Sequence, residues 1–568
     1  MSDKLAAYRR ADAPLPDHNR LWPLYGAGFE NLGRDGQPID VPMPQFGPDE
    51  LLVRHDAVGL CFSDVKVIRA GEKHPRIHRD MQTDPVVLGH EVTLTVVSVG
   101  ENLRDQYAIG DRFIVQADVY VGGVDQTYGY TIQGGQSQYS VIDQRVLNGD
   151  EGCYLIPVQP DTGYAESALT EPWTCVLTAY QLEYRTRLKS GGTTWIIGTG
   201  GKEKPYTIST GFDETSHPDR LLLTQVPADF VHWLETRAES LGVEVIKVDD
   251  VNAPFVDKMD DIVLLGADPD LIEAASPHLA KFGVMAFIAD EPLSRKVEID
   301  IGRVHYNRWL YVGGPVPDIA RAYSAVPARS TLKPGGRAWF VGAGGPMGQL
   351  HVQRAIKAPD GPKTILCTAR TNNRLPIVES IYRDDAETKG ITFVCASLSD
   401  DAYRQAVEEV GQAGFDDIVV LAPSPDAIAE AAEYLAPGGV MNVFAGVKRG
   451  TMVSLDLSAV YRKNMRIIGH SGLTTASMRI ALRQVESGEF SPNRLVAAVG
   501  SLAAVPDGLR AVRDGGFSGK VVIFPHIKDL ALTPLPDLNK LPSVYAKLKD
   551  GREWTKEAEE EFLRLMLS

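Results

Sequence analysis

The sequence predicts an α/β protein in which a compact β domain, partly a barrel, is followed by two tandem, doubly wound parallel sheets. Three observations carry this. Residues 45–160 form a succession of short β-like runs broken by Gly and Asp turns, among them LLVRHDAVGL, VVLGHEVTLTVVSVG, DRFIVQADVYV and SQYSVI. From about residue 174 strands alternate with helical segments, which implies βαβ units and a parallel sheet. That α/β half also repeats itself.

The repeat is ordered. LKSGGTTWIIGTGG at 188–201 returns as LKPGGRAWFVGAGG at 332–345, and DDIVLLGADPDLIEAASPHLAKFGVM at 260–285 as DDIVVLAPSPDAIAEAAEYLAPGGVM at 416–441. VEIDIGRVHYNRWLYVGG at 297–314 then lies opposite VSLDLSAVYRKNMRIIGHSG from 453, at the same offset of 156 that separates Asp261 from Asp417. The organisation expected is therefore a β domain over 1–187, a first repeat over 188–331, a second over 332–484 and a tail over 536–568. The tail is punctuated by prolines and closes on EWTKEAEEEFLRLML, a charged amphipathic helix of the docking or capping kind.

Composition narrows the class. The chain has 568 residues, enough for three or four domains, with 44% hydrophobic and 23% charged residues, values of a folded soluble protein. Its net charge of −16 disfavours a nucleic-acid backbone or an anionic membrane as partner. No apolar run has the length of a membrane span, and MSDKLAAYRRADAPLPDHNR lacks the apolar core of a signal peptide. The five cysteines, at 61, 153, 175, 367 and 395, are too few and scattered for a disulfide framework. A cytoplasmic enzyme is expected.

Three segments concentrate chemistry: GLCFSD with Cys61, Ser63 and Asp64; LGHE with His90 and Glu91; and LTEPW with Glu171. A thiolate, an imidazole and a carboxylate together suit zinc better than magnesium or calcium, and a catalytic zinc takes three protein ligands and keeps one position open. A cysteine alone is more often a small buried hydrophobe; it is the three segments in order that distinguish Cys61. Cys175, four residues after Glu171, can share its helical face but reads as core packing.

Cys-x-Ser-Asp, Gly-His-Glu some 30 residues on, and Glu-Pro before an α/β unit together resemble the zinc-dependent medium-chain dehydrogenases and reductases, in their polyol branch. GLCFSDVKVI, VVLAPSPDAI, GGVMNVFAG and AVPDGLRAVRDGGFSGKVVIFPHIKDL strengthen the likeness, which covers roughly 40–185 and 330–535 and leaves 188–313 unexplained. The resemblance implies a GroES-like catalytic domain completed by about 485–535, and Rossmann-type sheets. It assigns Cys61 and His90 to the metal, with Glu91 or Glu171 as the third ligand. Ser63 would pass the alcohol proton towards solvent, and Asp64 would hold a metal-binding His in its tautomer. The four-cysteine structural zinc of many members would fall near 118–136, where there is no cysteine, so one catalytic zinc is expected. Members commonly dimerise by joining sheets edge to edge through the last strand. Two copies in one chain, meeting at RWLYVGG and MRIIGHSG, would give a monomer with an internal pseudo-dimer; the alternative is a homodimer.

The second repeat carries a strand, then Gly342, Gly344, Gly345, Pro346, Met347 and Gly348, then a helical run. Such glycines let the backbone approach a pyrophosphate seated on the helix N-terminus. NAD binding would call for an acid at the end of the next strand. Ala369 and Arg370 stand there, with Asn373 and Arg374 beyond and no acid from 361 to 378, so NADP is favoured over NAD. Arg370, Asn373, Arg374 and Ala422 complete the cofactor candidates. In the first repeat GTGG is followed by KEKPYT, with Pro205 early in the would-be helix and no further glycine by 204. Pro is tolerated in a first helical turn, so a helix is not excluded, but a structural, non-binding role is favoured.

The expectation is an oxidoreductase that passes hydride between a secondary alcohol or ketone and nicotinamide, acting on a polyol, sugar or sugar phosphate. The alternatives are a dehydratase or epimerase that retains its cofactor, or a non-catalytic nucleotide sensor. His470, Ser471 and the tyrosines of 120–139 are candidate pocket residues, although loop residues of this kind are usually structural.

Overall fold

The computed structural model describes residues 4–181, 185–200, 204–252, 258–324, 331–370, 373–399, 403–470 and 472–568. The chain divides into two bodies, one of residues 1–177, 345–350 and 472–568, the other of 178–344 and 351–471.

The first body is built on one eight-stranded sheet. Its order is Leu155–Pro157, Arg112–Val115, Glu91–Val99, Leu51–Gly59, Lys520–Phe524, Val496–Ser501 and Thr533–Pro534, with Tyr139–Ile142 also pairing on Leu51–Gly59. Strands from the last hundred residues thus complete a sheet begun near residue 50. Leu51–Gly59 is buried along its whole length, and so is KVVIF at 520–524, as expected of strands covered on both faces. The terminal helix Lys556–Met566 docks as its amphipathicity predicts: Ala558, Phe562 and Leu563 enter a core shared with Trp554, Phe524 and Leu169. Its Glu559 accepts the backbone N–H groups of Tyr164 and Ala165 at 2.5 and 2.8 Å, an acid placed at the positive end of the helix Tyr164–Ala168.

The second body holds two six-stranded, all-parallel sheets of the same topology. The first runs Glu244–Lys247, Arg220–Thr224, Thr193–Gly198, Met259–Leu265, Leu279–Ile288 and Leu310–Gly314; the second Thr392–Ser397, Thr364–Ala369, Arg337–Val341, Phe415–Val420, Leu435–Val443 and Arg466–Ile468. Details recur at equivalent positions. Buried Trp195 donates to Thr224 Oγ1 at 2.9 Å, and Trp339 donates to Thr368 Oγ1 at 2.9 Å. Both sheets shift register at the same point, between Met259 and Asp261 and between Phe415 and Asp417.

A local two-fold relates the sheets where they meet. Val297–Asp300 pairs antiparallel with Met452–Leu455, placing Val297 opposite Leu455 and Ile299 opposite Val453; since 297 and 453, and 299 and 455, are equivalent positions of the repeat, the contact is reciprocal, as in an isologous interface. Glycine reports the same symmetry. A Cβ on Gly313 would lie 2.6 Å from Tyr461 Cβ, and one on the equivalent Gly469 would lie 2.6 Å from Cα of His305, the counterpart of Tyr461. One hydrophobic core runs through both sheets, with Trp195, Phe287, Tyr311, Trp339, Tyr461 and Ile467 in it.

The two sheets differ after their first strand. In the second, the glycine turn leads into the helix Pro346–Lys357. In the first, no helix occurs among residues 204–218; the space is taken by an irregular segment that buries Tyr206, Ile208 and Phe212. The helix that Pro205 would permit is thus not formed among these residues, and Gly201, Lys202 and Glu203 lie outside the described residues.

Candidate metal centre

Cys61 ends the run from strand Leu51–Gly59 and is the N-cap of the helix Phe62–Ala70. Its Sγ accepts the Ser63 N–H at 3.5 Å, and Asp64 Oδ2 accepts the Cys61 N–H at 3.1 Å, so the two residues close a capping box. The same aspartate turns its other oxygen to His90, with Oδ1 3.2 Å from Nδ1, close enough for an ion pair but not aligned as a hydrogen bond. His90 is set by Gly89 at φ 103°, where a Cβ would come within 2.9 Å of Gln136 N and 3.0 Å of Gly135 N, so only glycine suits the turn. Tyr130 packs edge-on against the imidazole, with ring centres 6.0 Å apart. Burial disfavours a charged His90, but Asp64 and then Cys61 outweigh it and hold its pKa well above the ordinary imidazole range.

Glu91 opens the next strand, fully buried. One of its oxygens accepts from Lys520 Nζ, itself buried at the start of the strand Lys520–Phe524; the other, Oε2, is buried with no hydrogen-bond partner among the described residues. Cys61 Sγ, a His90 ring nitrogen and a Glu91 oxygen lie within 4.8 Å of one another. Around a tetrahedral zinc such donors stand about 3.6 Å apart, a modest contraction from this arrangement. The donor set and the orphaned Glu91 oxygen both fit a divalent cation, and Asp64 at Nδ1 leaves Nε2 of His90 to face it. Glu171, on the helix Thr170–Thr178, is buried but outside that trio. Burial pushes its carboxyl up to about 7; neighbouring Glu91 adds to this and His90 opposes it. Cys175 Sγ donates to Glu171 Oε1 at 3.7 Å, a polar contact in place of the plain core packing expected.

Beside the trio, Arg76 bridges Asp118 (2.7 Å) and Asp125, and its guanidinium lies over the Tyr130 ring. Asp118 Oδ2 in turn accepts the Leu473 N–H at 3.3 Å. Of the tyrosines of 120–139, Tyr130 reaches this region; Tyr128 instead binds buried His55 (2.7 Å) and Tyr139 packs on His526. His470 is buried, with its pKa pushed down to about 3 by burial and by Arg308 and His305; Ser471 lies outside the described residues.

In the second sheet the strand Arg337–Val341 ends on Gly342, at φ 91°, where a Cβ would sit 3.0 Å from Ala422 N and 3.3 Å from Ala422 Cβ. The N–H groups of Gly342 and Ala343 donate to Thr368 O at 2.8 and 2.9 Å. A Cβ on Gly344 would meet Arg374 Cβ at 3.0 Å, and Gly345 has open space beside it. The helix begins at Pro346, so Met347 and Gly348 form its first turn. Arg370 and Asn373 are exposed beyond the adjacent strand.

Residues 47–149 match the alcohol dehydrogenase GroES-like domain. The chain is 29% identical over 309 residues, 49% of its own length and 71% of the other's, to mannitol-1-phosphate 5-dehydrogenase of Aliivibrio fischeri. It is 26% identical over 313 residues, 50% of its length and 75% of the other's, to L-sorbose 1-phosphate reductase of Klebsiella pneumoniae. The chain thus carries an alcohol dehydrogenase GroES-like domain and is similar, over about half its length, to dehydrogenases and reductases of polyol phosphates. Among solved structures, 2R,3R-butanediol dehydrogenase from Bacillus subtilis shares the fold of this chain at TM-score 0.51 and 15% identity, over 89% of this chain and 99% of that one. Of the residues singled out in the sequence, the structure brings Cys61, Asp64, His90 and Glu91 together, while Glu171 lies outside the trio. The sequence had not indicated Lys520; the one available signal was a lysine opening the otherwise apolar strand KVVIF.

Proposed function

We propose that this dehydrogenase interconverts a secondary alcohol and a ketone of a polyol or sugar phosphate, using one catalytic zinc and NADP. The observation that carries the reading is the convergence of Cys61, His90 and Glu91 on one buried point. Zinc held there would supply a Lewis acid for the substrate oxygen, and nicotinamide would supply the hydride acceptor or donor. The chain's own residues do the rest. Cys61, His90 and Glu91 hold the ion, and Asp64 fixes the imidazole orientation. Lys520 balances the Glu91 charge. Ser63, half-buried on the first turn of the helix after Cys61, takes the hydroxyl proton out towards solvent. The cofactor is read from Gly342, Gly344, Gly345, Pro346, Met347 and Gly348 as the pyrophosphate turn, with Ala422 beneath it. Arg370, Asn373 and Arg374 stand where NAD would require an acid. The names of the relatives support a phosphorylated substrate. The catalytic domain of 1–187, completed by 485–535, and the repeat of 332–484 carry the chemistry in this reading. The repeat of 188–331 is the structural mate of the second sheet in this reading, since among the described residues no helix follows its first strand for a pyrophosphate to rest on.

The test is a panel of hexitol phosphates and free hexitols, each assayed with NADP and with NAD. Phosphorylated substrate with NADP is expected to give the highest kcat/KM. Oxidation only of unphosphorylated alcohols, or only with NAD, would contradict the assignment.

A further inference from the structure

At two equivalent turns the sheets keep one backbone and change the residue. The turn inside Leu279–Ile288 places Phe282 at φ 62°, where the second sheet has Gly438 at φ 72°. The turn before Leu310–Gly314 places Arg308 at φ 53°, where the second sheet has Asn464 at φ 53°. Gly and Asn adopt the left-handed conformation readily; Phe and Arg do so at a cost, and such strain persists where the surroundings or a function demand it.

Both strained residues line one cavity of about 440 Å³ in the second body, a volume in the range of small-molecule sites. Four cationic side chains line it, Arg185, Lys189, Lys281 and Arg308, against a single carboxylate, Asp260. Lys189 is held by Asp260 at 2.6 Å and Arg185 by buried Asp261 at 2.8 Å. These are structural pairs; the first recurs as Lys333 with Asp416 at 2.5 Å in the second sheet. The other two charges are particular to the first sheet, where Pro437 is the counterpart of Lys281. The Lys281 ammonium and the Arg308 guanidinium lie 5.2 and 5.3 Å from the centre of the same Phe282 ring, and among the described residues no carboxylate is within ion-pair distance of Lys281. Two like charges are thus gathered on one half-exposed aromatic ring, beside Trp309, at the cost of two strained residues.

The geometry points to a binding site for a small phosphomonoester in this cavity, its phosphate between Lys281 and Arg308 and its organic part against Phe282. Charge-assisted bonds from two cations suit a dianion, and the ring supplies the apolar face that an inorganic ion would not use. The site is independent of the zinc chemistry and gives the first sheet a ligand other than a dinucleotide.

Calorimetric titration of the zinc-loaded full chain with glucitol 6-phosphate, AMP and inorganic phosphate tests it. The wild type is expected to bind at least one of the organic esters, and Lys281→Ala/Arg308→Asn to weaken that binding about tenfold or more. Arg308→Asn and Phe282→Gly import the residues of the second sheet and are expected to leave the melting temperature unchanged or raised. Lys281→Glu, at an exposed position, gives a second variant that repels the phosphate without touching the core. Preference for glucitol 6-phosphate identifies a polyol phosphate as the occupant and preference for AMP a nucleotide; either supports the site. No binding of either ester by the wild type would overturn it, as would undiminished binding by the double variant and by Lys281→Glu. Binding lost in Cys61→Ser and kept in the double variant would place the phosphate at the zinc centre, overturning this inference while leaving the proposed function intact.

Discussion

Lys520 meets Glu91 inside the protein, with both side chains almost fully buried, and this pairing sets a condition on the metal. Removing one partner of a buried pair leaves an uncompensated charge and costs about 3–5 kcal/mol. A cation bound to Glu91 supplies the missing compensation. Lys520→Met is therefore expected to destabilise the chelator-treated protein by about that amount and the zinc-loaded protein by much less, measured as denaturant unfolding with and without chelator. Equal losses in both states would mean that Glu91 does not face the ion. Cys61, Asp64 and His90 were legible as a group, with Glu91 or Glu171 beside them, because each lies in a short run with a strong chemical signature. Lys520 was not, because nothing local marks a lysine 429 residues away in sequence as the partner of Glu91; only the pairing of Lys520–Phe524 with Leu51–Gly59 brings it there. The choice between Glu91 and Glu171 was equally closed to sequence, since both precede apolar segments and only the sheet decides which side chain points at Cys61.

At the scale of elements, strands and the amphipathic tail were readable from period and composition, while the segment after the first strand of the first sheet was not. Pro205 is compatible with a helix start, and it is the packing of Tyr206, Ile208 and Phe212 against the sheet that decides for an irregular path. The turn beyond Lys520–Phe524 brings His526 beneath Tyr8 and Tyr139, with Nε2 3.1 Å from Gln138 O. Burial, then Arg54, pushes its pKa down to about 3, and burial pushes that of His55 down to about 4. Both imidazoles are neutral in the folded state. An unfolded imidazole protonates near 6.5, so the stability tied to these groups is complete above that pH and is lost as the pH falls towards their folded values. Each contributes a slope of up to about 1.4 kcal/mol per pH unit in that window. His526→Phe keeps the ring packing, and Gln138 O still accepts the His55 N–H at 2.9 Å. Unfolding free energies measured from pH 6.5 to 4.5 are expected to fall less steeply in this variant than in the wild type. An unchanged slope would show that His526 is not the group taking up the proton.

For the molecule as a whole, the offset of 156 residues was visible in sequence, and its consequence is the reciprocal contact between the two sheets. An open sheet edge needs cover or a partner; the edge-to-edge pairing expected between the last strands, RWLYVGG and MRIIGHSG, is corrected, since among the described residues the strands that pair across the repeats are Val297–Asp300 and Met452–Leu455, while Gly313 and Gly469 each admit a residue from the opposite repeat. With that face already occupied, sedimentation at micromolar concentration is expected to give the mass of one chain. A dimer would show that a further surface serves assembly and that the internal two-fold does not replace it. What the sequence could not supply was the direction of this packing, since an antiparallel pair and a parallel one would be written in the same apolar residues.

Zinc analysis coupled to anomalous diffraction at the zinc edge tests the central reading most directly. One ion per chain is expected, ligated by Cys61, His90 and Glu91, and Cys61→Ala is expected to lose both the ion and the oxidation of alcohols. Full zinc occupancy with full activity in Cys61→Ala, or an ion bound away from these three side chains, would contradict it.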